Sequence, residues 1–207
     1  MATFDMAQLD ITRQNVAVER VLERTENPRH RYLLQAYLRH RYLESAGRYE
    51  EILDPALTVE HPVYRFSLIE QGRFTLEGRD QVAALYGHWT ATDQCVFYVE
   101  DEQVAVGDHM IVGRGVSYQQ TLGSELAARG IDADPETMYL TKSQIMMLWP
   151  YDDRGRLLGE DVWEFDDAER AYLELDPADV LTAKQAGKLL DPFIKALPPF
   201  DDSLLPA

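Results

Sequence analysis

The sequence predicts one α+β domain in which N-terminal helices pack on a strongly curved antiparallel sheet that encloses a pocket. Apolar residues recur at helical spacing through much of the first 90 residues and alternate with a period of two from residue 95 onward. Helices followed by a run of strands are typical of the α+β class. The 207 residues suffice for one well-buried domain and are few for two. We place this domain at residues 28–166.

Three helices are predicted in the first half of the chain. Pro28 suits the first turn of a helix that continues without a breaker to Gly47, a residue typical of helix C-termini. A short helix is predicted at residues 48–53 and another at 77–89. Residues 1–27 are predicted to form an N-terminal arm.

Strand patterns occupy most of the second half. Residues 56–64, ALTVEHPVY, form the first predicted strand, and residues 95–120 read as strand, turn, strand, turn and long strand. The polar segment 122–136 is predicted to be a loop or lid. Residues 138–165 are predicted to form a β-hairpin. Residues 167–207 carry two amphipathic segments and are predicted to form a C-terminal helical tail.

Composition excludes several classes of function. The formal net charge of −16, from 20 basic and 36 acidic residues, argues against binding to nucleic acid or to an anionic membrane surface. No apolar run approaches the ~18 residues of a membrane span, and the first residues lack a signal-peptide pattern. Cys95 is the single cysteine, so an intrachain disulfide or a cysteine-rich metal site cannot form. We predict a cytoplasmic protein without metal or cofactor.

The order of these segments resembles a known superfamily. A helix, Gly47 and a second helix precede LTVEHPVY, GRDQVAALY and long strands that end in YDDRGRLLGEDVWEF. This order is similar to the cone-shaped nuclear transport factor 2-like superfamily over residues 28–166. Within it, the SnoaL-like polyketide cyclases, ketosteroid isomerases and scytalone dehydratases are nearest in pattern. The superfamily also contains lyases that release formaldehyde from lignin-derived diarylpropanes.

The resemblance implies roles for particular positions. His61 stands where the isomerases carry their catalytic aspartate, which implies that His61 faces the pocket. The oxyanion-binding tyrosine of the isomerases would correspond to His40, and their second acid to Met147. The tyrosine and the second acid, two of the three isomerase signatures, are therefore absent, which argues against steroid isomerisation by that mechanism.

His61 is the first candidate catalyst on chemical grounds as well. An imidazole exchanges protons near neutral pH. Alternation along a strand places Val59, His61 and Val63 on one face, which we predict to be the inner one, and Glu60 on the other. The alternative is a hydrogen-bonded core histidine.

Arg114 and Asp161 are the next candidates, because each is a charged residue on an apolar strand face. A buried charge is costly unless it is paired, so the two residues are predicted either to form a structural ion pair or to hold a phenolate, enolate or carboxylate. The isomerase-like register would instead turn Glu160 and Glu164 inward, and a bulge at Gly159 could reconcile the two registers.

The predicted function is a cofactor-independent acid–base lyase acting on a hydrophobic, hydroxylated aromatic molecule. The specific candidate is removal of formaldehyde from a diarylpropane diol to give a stilbene. The predicted catalytic residues are His61, Arg114, Asp161 and Tyr118. The predicted substrate-binding residues are Tyr37, His40, Arg41, Trp89, Phe97, Met147 and Trp163.

Other functions remain open at this point. A scytalone-type dehydratase, a SnoaL-like cyclase or a steroid isomerase would use the same pocket, and a non-catalytic ligand-binding dimer would need no converging polar groups. We expect a homodimer, because Leu140, Met146 and Leu148 lie on the predicted outer face of the sheet.

Overall fold

The computed structural model describes residues 9–206 of the chain. Its α-helices are α1 (Val16–Arg24), α2 (Pro28–Ser45), α3 (Tyr49–Ile52), α4 (Arg79–Ala91), α5 (Gly123–Ala128) and α6 (Ala183–Leu190). Its strands are β1 (Thr58–Leu68), β2 (Gly72–Glu77), β3 (Phe97–Val106), β4 (Met110–Leu122), β5 (Met138–Pro150), β6 (Leu157–Phe165) and β7 (Ala171–Glu174).

The strands form one curved sheet in the order β2-β1-β6-β5-β4-β3, and β7 pairs with the far end of β5. The pairs are antiparallel except for β1 and β6, which run parallel. The helices and one face of the sheet share the main hydrophobic core. The predicted α+β class, with helices packed on a curved sheet, is confirmed.

Helix α2 begins and ends where the sequence predicts. Pro28 occupies the first turn, and the Asn27 side chain accepts hydrogen bonds from the two backbone N–H groups that follow. At the other end Gly47 has a φ of +68°, a conformation that side chains with a Cβ disfavour. Leu33, Leu34 and Leu43 are completely buried, so the helix is anchored along its length.

A bulge between β1 and β6 determines which residues face the concave side of the sheet. The pairing register shifts between Thr58 and Val63. Gly159 stands opposite with a φ of +150°, and a Cβ there would lie 1.8 Å from the Val63 carbonyl oxygen. Beyond the bulge, Tyr64 pairs with Glu160, and both side chains face inward.

Four features of the chain differ from the predictions or were not predicted. Part of the predicted arm is helix α1, whose Val18 is fully buried, while residues 1–8 lie outside the described part. Strand β2 is absent from the sequence-based assignment. The predicted lid contains helix α5. The first part of the predicted helical tail is strand β7, because it completes the exposed edge of β5, whereas α6 is helical as predicted.

Within residues 9–206, no helix combines the length and the hydrophobicity needed to cross a membrane.

Candidate active site

The concave face of the sheet, together with α2, α4 and α5, encloses a cavity of about 270 Å³. This lies near the lower end of the volumes typical of small-molecule sites. Aromatic and aliphatic side chains form most of the wall: Tyr64, Phe66, Leu68, Phe74, Leu85, Tyr86, Trp89, Phe97, Ile145, Met147, Trp149 and Val162. The cavity therefore suits a flat, hydrophobic molecule.

Strand register arranges the cavity floor in layers. Glu160 lies beside Tyr64, Val162 lies between Phe66 and Met147, and Glu164 lies beside Ile145. Successive inward residues of β6 are thus acidic, apolar and acidic. An apolar layer separates two carboxyl groups on the same strand.

A cluster of hydrogen-bonding groups surrounds Glu160. The Tyr86 hydroxyl donates to Glu160 Oε1 at 3.1 Å. His40 Nε2 lies 3.1 Å from the Tyr86 hydroxyl, 3.3 Å from Glu160 Oε1 and 3.9 Å from Glu44 Oε2. Because Tyr86 already donates to the carboxyl, we assign the imidazole proton to Nε2, which then donates within the cluster. Two helices and one strand supply these four side chains.

Burial favours the protonated form of both carboxyl groups. Desolvation raises the pKa of Glu160 well above its usual value, and repulsion by Glu44 raises it further, against the lowering effect of the Tyr86 and Tyr64 hydroxyls and Arg41. Desolvation also raises the pKa of Glu44 to about 8, with Arg41 acting against it. Desolvation and repulsion by Glu44 both favour the protonated form of Glu160, which can donate a proton.

His40 is neutral in this environment. Desolvation lowers its pKa to about 3, and the nearby Arg41 cation adds to the effect. The imidazole also packs edge-on against Trp149, with ring centroids 4.4 Å apart. These contacts fix the ring so that it orients the Glu160 and Tyr86 groups.

Arg41 provides a buried positive charge beside the cluster. Its Nη1 donates to both carboxylate oxygens of Glu102 at 2.7 and 2.8 Å, and both side chains are 1% exposed. The guanidinium carbon lies 5.3 Å from the centroid of the Tyr37 ring and 5.9 Å from that of Phe97. Among the described residues, Nε and Nη2 have no hydrogen-bond partner. A ligand oxygen could satisfy these donors, because Arg41 borders the cavity.

A second polar group borders the cavity at Glu164. Arg170 Nη1 lies 2.8 Å from Glu164 Oε1, and the same guanidinium contacts Glu70. Glu164 Oε2 accepts a hydrogen bond from the Ile69 N–H at 2.9 Å. The Glu164, Arg170 and Glu70 side chains are about nine-tenths buried or more.

Four of the seven predicted substrate-binding residues border the cavity: Arg41, Trp89, Phe97 and Met147. His40 contacts the Glu160 cluster. Tyr37 is fully buried behind it, where its hydroxyl donates to Glu102 at 3.4 Å and its ring packs on Trp149. Trp163 lies on the opposite face of the sheet, paired with the exposed Met146.

The four predicted catalytic residues lie away from the cavity. His61 is exposed and contacts Gly78. Arg114 is exposed over the ring of Phe165, and Asp161 pairs with Arg65 at 3.2 Å. Tyr118 donates to Glu100 at 3.0 Å on the outer side of the sheet.

The predicted inward orientation of His61, Arg114 and Asp161 is wrong for one physical reason. On β1, β4 and β6 the strand face that carries these three residues is the outer face of the sheet. The alternate residues of each strand line the concave side. The predicted pairing of Arg114 with Asp161 is replaced by separate contacts. The alternative register, with Glu160 and Glu164 inward and an irregularity at Gly159, matches the structure.

Glu44, Tyr64 and Tyr86 were missed as site residues. Glu44 follows His40 by four residues and Arg41 by three on the predicted long helix, which places the three side chains on neighbouring positions of one surface. That spacing could have identified Glu44. Tyr64 and Tyr86 could not be distinguished from ordinary core tyrosines.

Comparisons with known proteins give only distant structural likenesses. The sequence matches no protein-family model and no curated protein. An NTF2-like protein from Anabaena variabilis has a TM-score of 0.49 and 9% identity over 70% of this chain and 96% of its own. A protein from Jannaschia sp. assigned as a SnoaL-like polyketide cyclase has a TM-score of 0.48 and 13% identity, over 68% and 90% of the two chains. An NTF2-like protein with a cystatin-like fold from Novosphingobium aromaticivorans has a TM-score of 0.41 and 19% identity, over 73% and 88%.

Proposed function

We propose that this protein is an acid–base enzyme, working without a cofactor, that acts on a hydrophobic, hydroxylated aromatic molecule. The observation that supports this proposal most strongly is the buried Glu160 carboxyl, held by Tyr86 and His40 at the base of an aromatic cavity, where burial raises its pKa. Keeping a carboxyl group buried beside a second one is costly for folding. A raised carboxyl pKa of this kind is typical of groups that transfer a proton in catalysis.

Each polar group has a role in this proposal. Glu160 gives a proton to a leaving hydroxyl group of the substrate. His40 and Tyr86 are positioning residues that hold the carboxyl in one orientation. Arg41 uses its free Nε and Nη2 donors to stabilise the negative charge that develops on a substrate oxygen.

The specific reaction we propose is the loss of water and formaldehyde from a 1,2-diarylpropane-1,3-diol with a para-hydroxyl group. Glu160 protonates the benzylic hydroxyl, the C–O bond breaks as water leaves, and electrons from the phenolic ring form a quinone methide that keeps the phenolic proton on its oxygen. The ionised Glu160 then takes the proton of the terminal hydroxymethyl group. The C–C bond breaks, formaldehyde leaves, and the electron pair returns to the ring to give a stilbene. Glu160 ends the cycle protonated, and no oxidant or reductant is consumed.

The proposal is tested by incubating the full chain with a panel of phenolic diols and hydroxyketones without added cofactor. Formaldehyde release and ultraviolet absorbance report turnover. We expect Glu160→Gln, which keeps the shape of the side chain, to lower the rate by a factor of about 100 or more. Glu169→Gln, the same change at an exposed position, is the matched control and should retain the wild-type rate.

Three outcomes decide between the alternatives. Turnover that depends on Glu160 supports the proposal, and the product identifies the reaction as deformylation, dehydration or cyclisation. Turnover unaffected by Glu160→Gln contradicts the assigned role of this residue. Ligand binding without turnover of any compound favours the non-catalytic binding function.

A further inference from the structure

The end of the cavity at Glu164 carries charged side chains that have no role in the proposed acid–base reaction. Glu164 and Arg170 both border the cavity and both are buried to about nine-tenths or more. Arg170 comes from the segment after β6, so the C-terminal part of the chain completes the cavity wall. Buried charged groups of this kind need a partner or a function.

This second polar group lies at a defined distance from the first. Glu160 and Glu164 are four residues apart on β6, so their Cα atoms are separated by about 13 Å along the strand. Val162 lies between them on the same face, beside Phe66 and Met147. The Phe66 ring stacks on Phe74 at a centroid distance of 4.8 Å. The apolar layer between the two polar ends therefore offers aromatic and aliphatic side chains as contacts for a ring.

The charge of the second group determines what it can bind. One guanidinium, from Arg170, contacts two carboxylates, from Glu164 and Glu70. The group therefore carries a formal net charge of −1. A carboxylate has about four lone-pair positions. Glu164 accepts a hydrogen bond from the Ile69 N–H and lies 2.8 Å from Arg170 Nη1 in an ion pair. The remaining capacity favours a hydrogen-bond donor on the ligand and disfavours an anion.

We propose that the cavity takes an elongated, uncharged aromatic molecule whose distal ring carries a hydroxyl group that donates to Glu164. This inference rests on the proposed function, because it takes Glu160 as the site of the reacting hydroxyl. The apolar layer at Val162 holds the distal ring. The net charge of −16 of the whole chain acts in the same direction, because it disfavours anionic ligands.

The test measures binding rather than turnover, with three stilbenes that lack the aliphatic hydroxyls required for the proposed reaction. All three carry a 4-hydroxyl group, and the 4′ position carries a hydroxyl, a hydrogen or a carboxylate. Dissociation constants are measured by fluorescence titration of the full chain at neutral pH. We expect the 4′-hydroxyl compound to bind about tenfold more tightly than the 4′-hydrogen compound, which corresponds to one hydrogen bond. The 4′-carboxylate should bind more weakly than either.

The Glu164→Gln variant tests whether Glu164 causes the preference for the 4′-hydroxyl compound. It removes the net negative charge, so it should improve carboxylate binding relative to the 4′-hydrogen compound and reduce the preference for the 4′-hydroxyl. Glu169→Gln should leave all three affinities at their wild-type ratios. If Glu164→Gln does not fold, the order of the three affinities in the wild-type protein decides.

Equal affinities for the hydroxyl and hydrogen compounds, or a preference for the carboxylate, would overturn the inference. Failure of the proposed function gives a different result. The protein would then turn over no diol but would still bind the three stilbenes in the predicted order of affinity.

Discussion

The Tyr86 hydroxyl donates a hydrogen bond to Glu160 Oε1 at 3.1 Å. This contact joins helix α4 to strand β6 at the base of the cavity. His40 lies within 3.3 Å of both groups, so the orientation of the carboxyl is determined by two neighbours. The proposed chemistry depends on this orientation, because a proton donor must point at the atom that it protonates.

Replacement of Tyr86 by Phe removes this hydrogen bond and keeps the ring. We expect Tyr86→Phe to lower kcat/KM about tenfold to a hundredfold, because the Glu160 carboxyl loses an orienting donor. Steady-state kinetics on the most active compound of the diol panel provide the measurement. His61→Ala is the companion variant and should leave the rate within about twofold, since His61 is exposed outside the cavity. A large loss of activity in His61→Ala, with little change in Tyr86→Phe, would instead support the prediction from the sequence that His61 is the catalytic residue.

The buried carboxyl at Glu44 should make stability fall as pH rises. Its pKa is raised from 4.5 to about 8 by burial, so the folded protein binds more protons than the unfolded chain between these values. The contribution of Glu44 to the free energy of unfolding therefore decreases with rising pH in this window. In Glu44→Gln this contribution is absent, and the variant should gain stability relative to wild type from pH 4.5 to pH 8. Urea unfolding at several pH values measures the difference, and a constant difference would contradict the assignment.

His40 should contribute a pH dependence of the opposite sign. Its pKa is lowered by burial from 6.5 to about 3, so the unfolded chain binds the additional proton between these values. The contribution of His40 to stability therefore falls as the pH is lowered through this window, by about 2 kcal/mol between pH 6.5 and pH 5. His40→Gln cannot take up a proton, so it should gain stability relative to wild type as the pH is lowered in the same urea series. Parallel curves for the two proteins would show that His40 is not buried as a neutral group.

Arg29 is expected to be essential for stability at a distance from the cavity. Its guanidinium donates to the carbonyl oxygens of Asp108, Asp152, Asp153 and Leu204 at 2.6 to 3.0 Å. Arg29→Ala should lower the free energy of unfolding by about 3 kcal/mol or more, because four carbonyl groups lose the charged donor that joins them.

The control for this prediction is Arg24→Ala at the exposed end of α1, which should change stability by less than about 0.5 kcal/mol. Urea unfolding of both variants provides the comparison. A small effect at Arg29 would mean that water replaces the guanidinium at the four carbonyls.

The sequence was sufficient to predict the class of fold because local signals are strong. Pro28 and Gly47 mark the ends of α2, and the change from helical to alternating apolar spacing near residue 95 separates helices from strands. Strand β7 was predicted as helix because its four residues gain their partner from β5, which lies far away in sequence.

The inner face of each strand was not predictable in the same way. On β1 one alternating set contains Val59 and Val63, and the other contains Tyr64 and Phe66, so both faces look apolar. The bulge opposite Gly159 determines the outcome, and it arises only when β1 and β6 pair.

Arg114 shows why a charge on an apolar face did not indicate the pocket. The face that it shares with Val112 and Val116 is the outer one, where Arg114 packs on the ring of Phe165 while remaining exposed. Leu140 of the predicted dimer surface is 4% exposed, in one hydrophobic cluster with Leu175, whereas Met146 is 40% exposed. The homodimer stays a prediction.

Measurement of the protonation state of Glu160 tests the proposed role of this residue most directly. Infrared spectroscopy detects the carbonyl stretch of a protonated carboxyl group, and above about pH 8 Glu44 has lost its proton. We predict a carboxylic-acid band in the wild-type protein above pH 8 that is retained in Glu44→Gln and Glu169→Gln and is missing in Glu160→Gln. A wild-type spectrum without this band, or a band that persists in Glu160→Gln, would contradict the assignment of Glu160 as the buried proton donor.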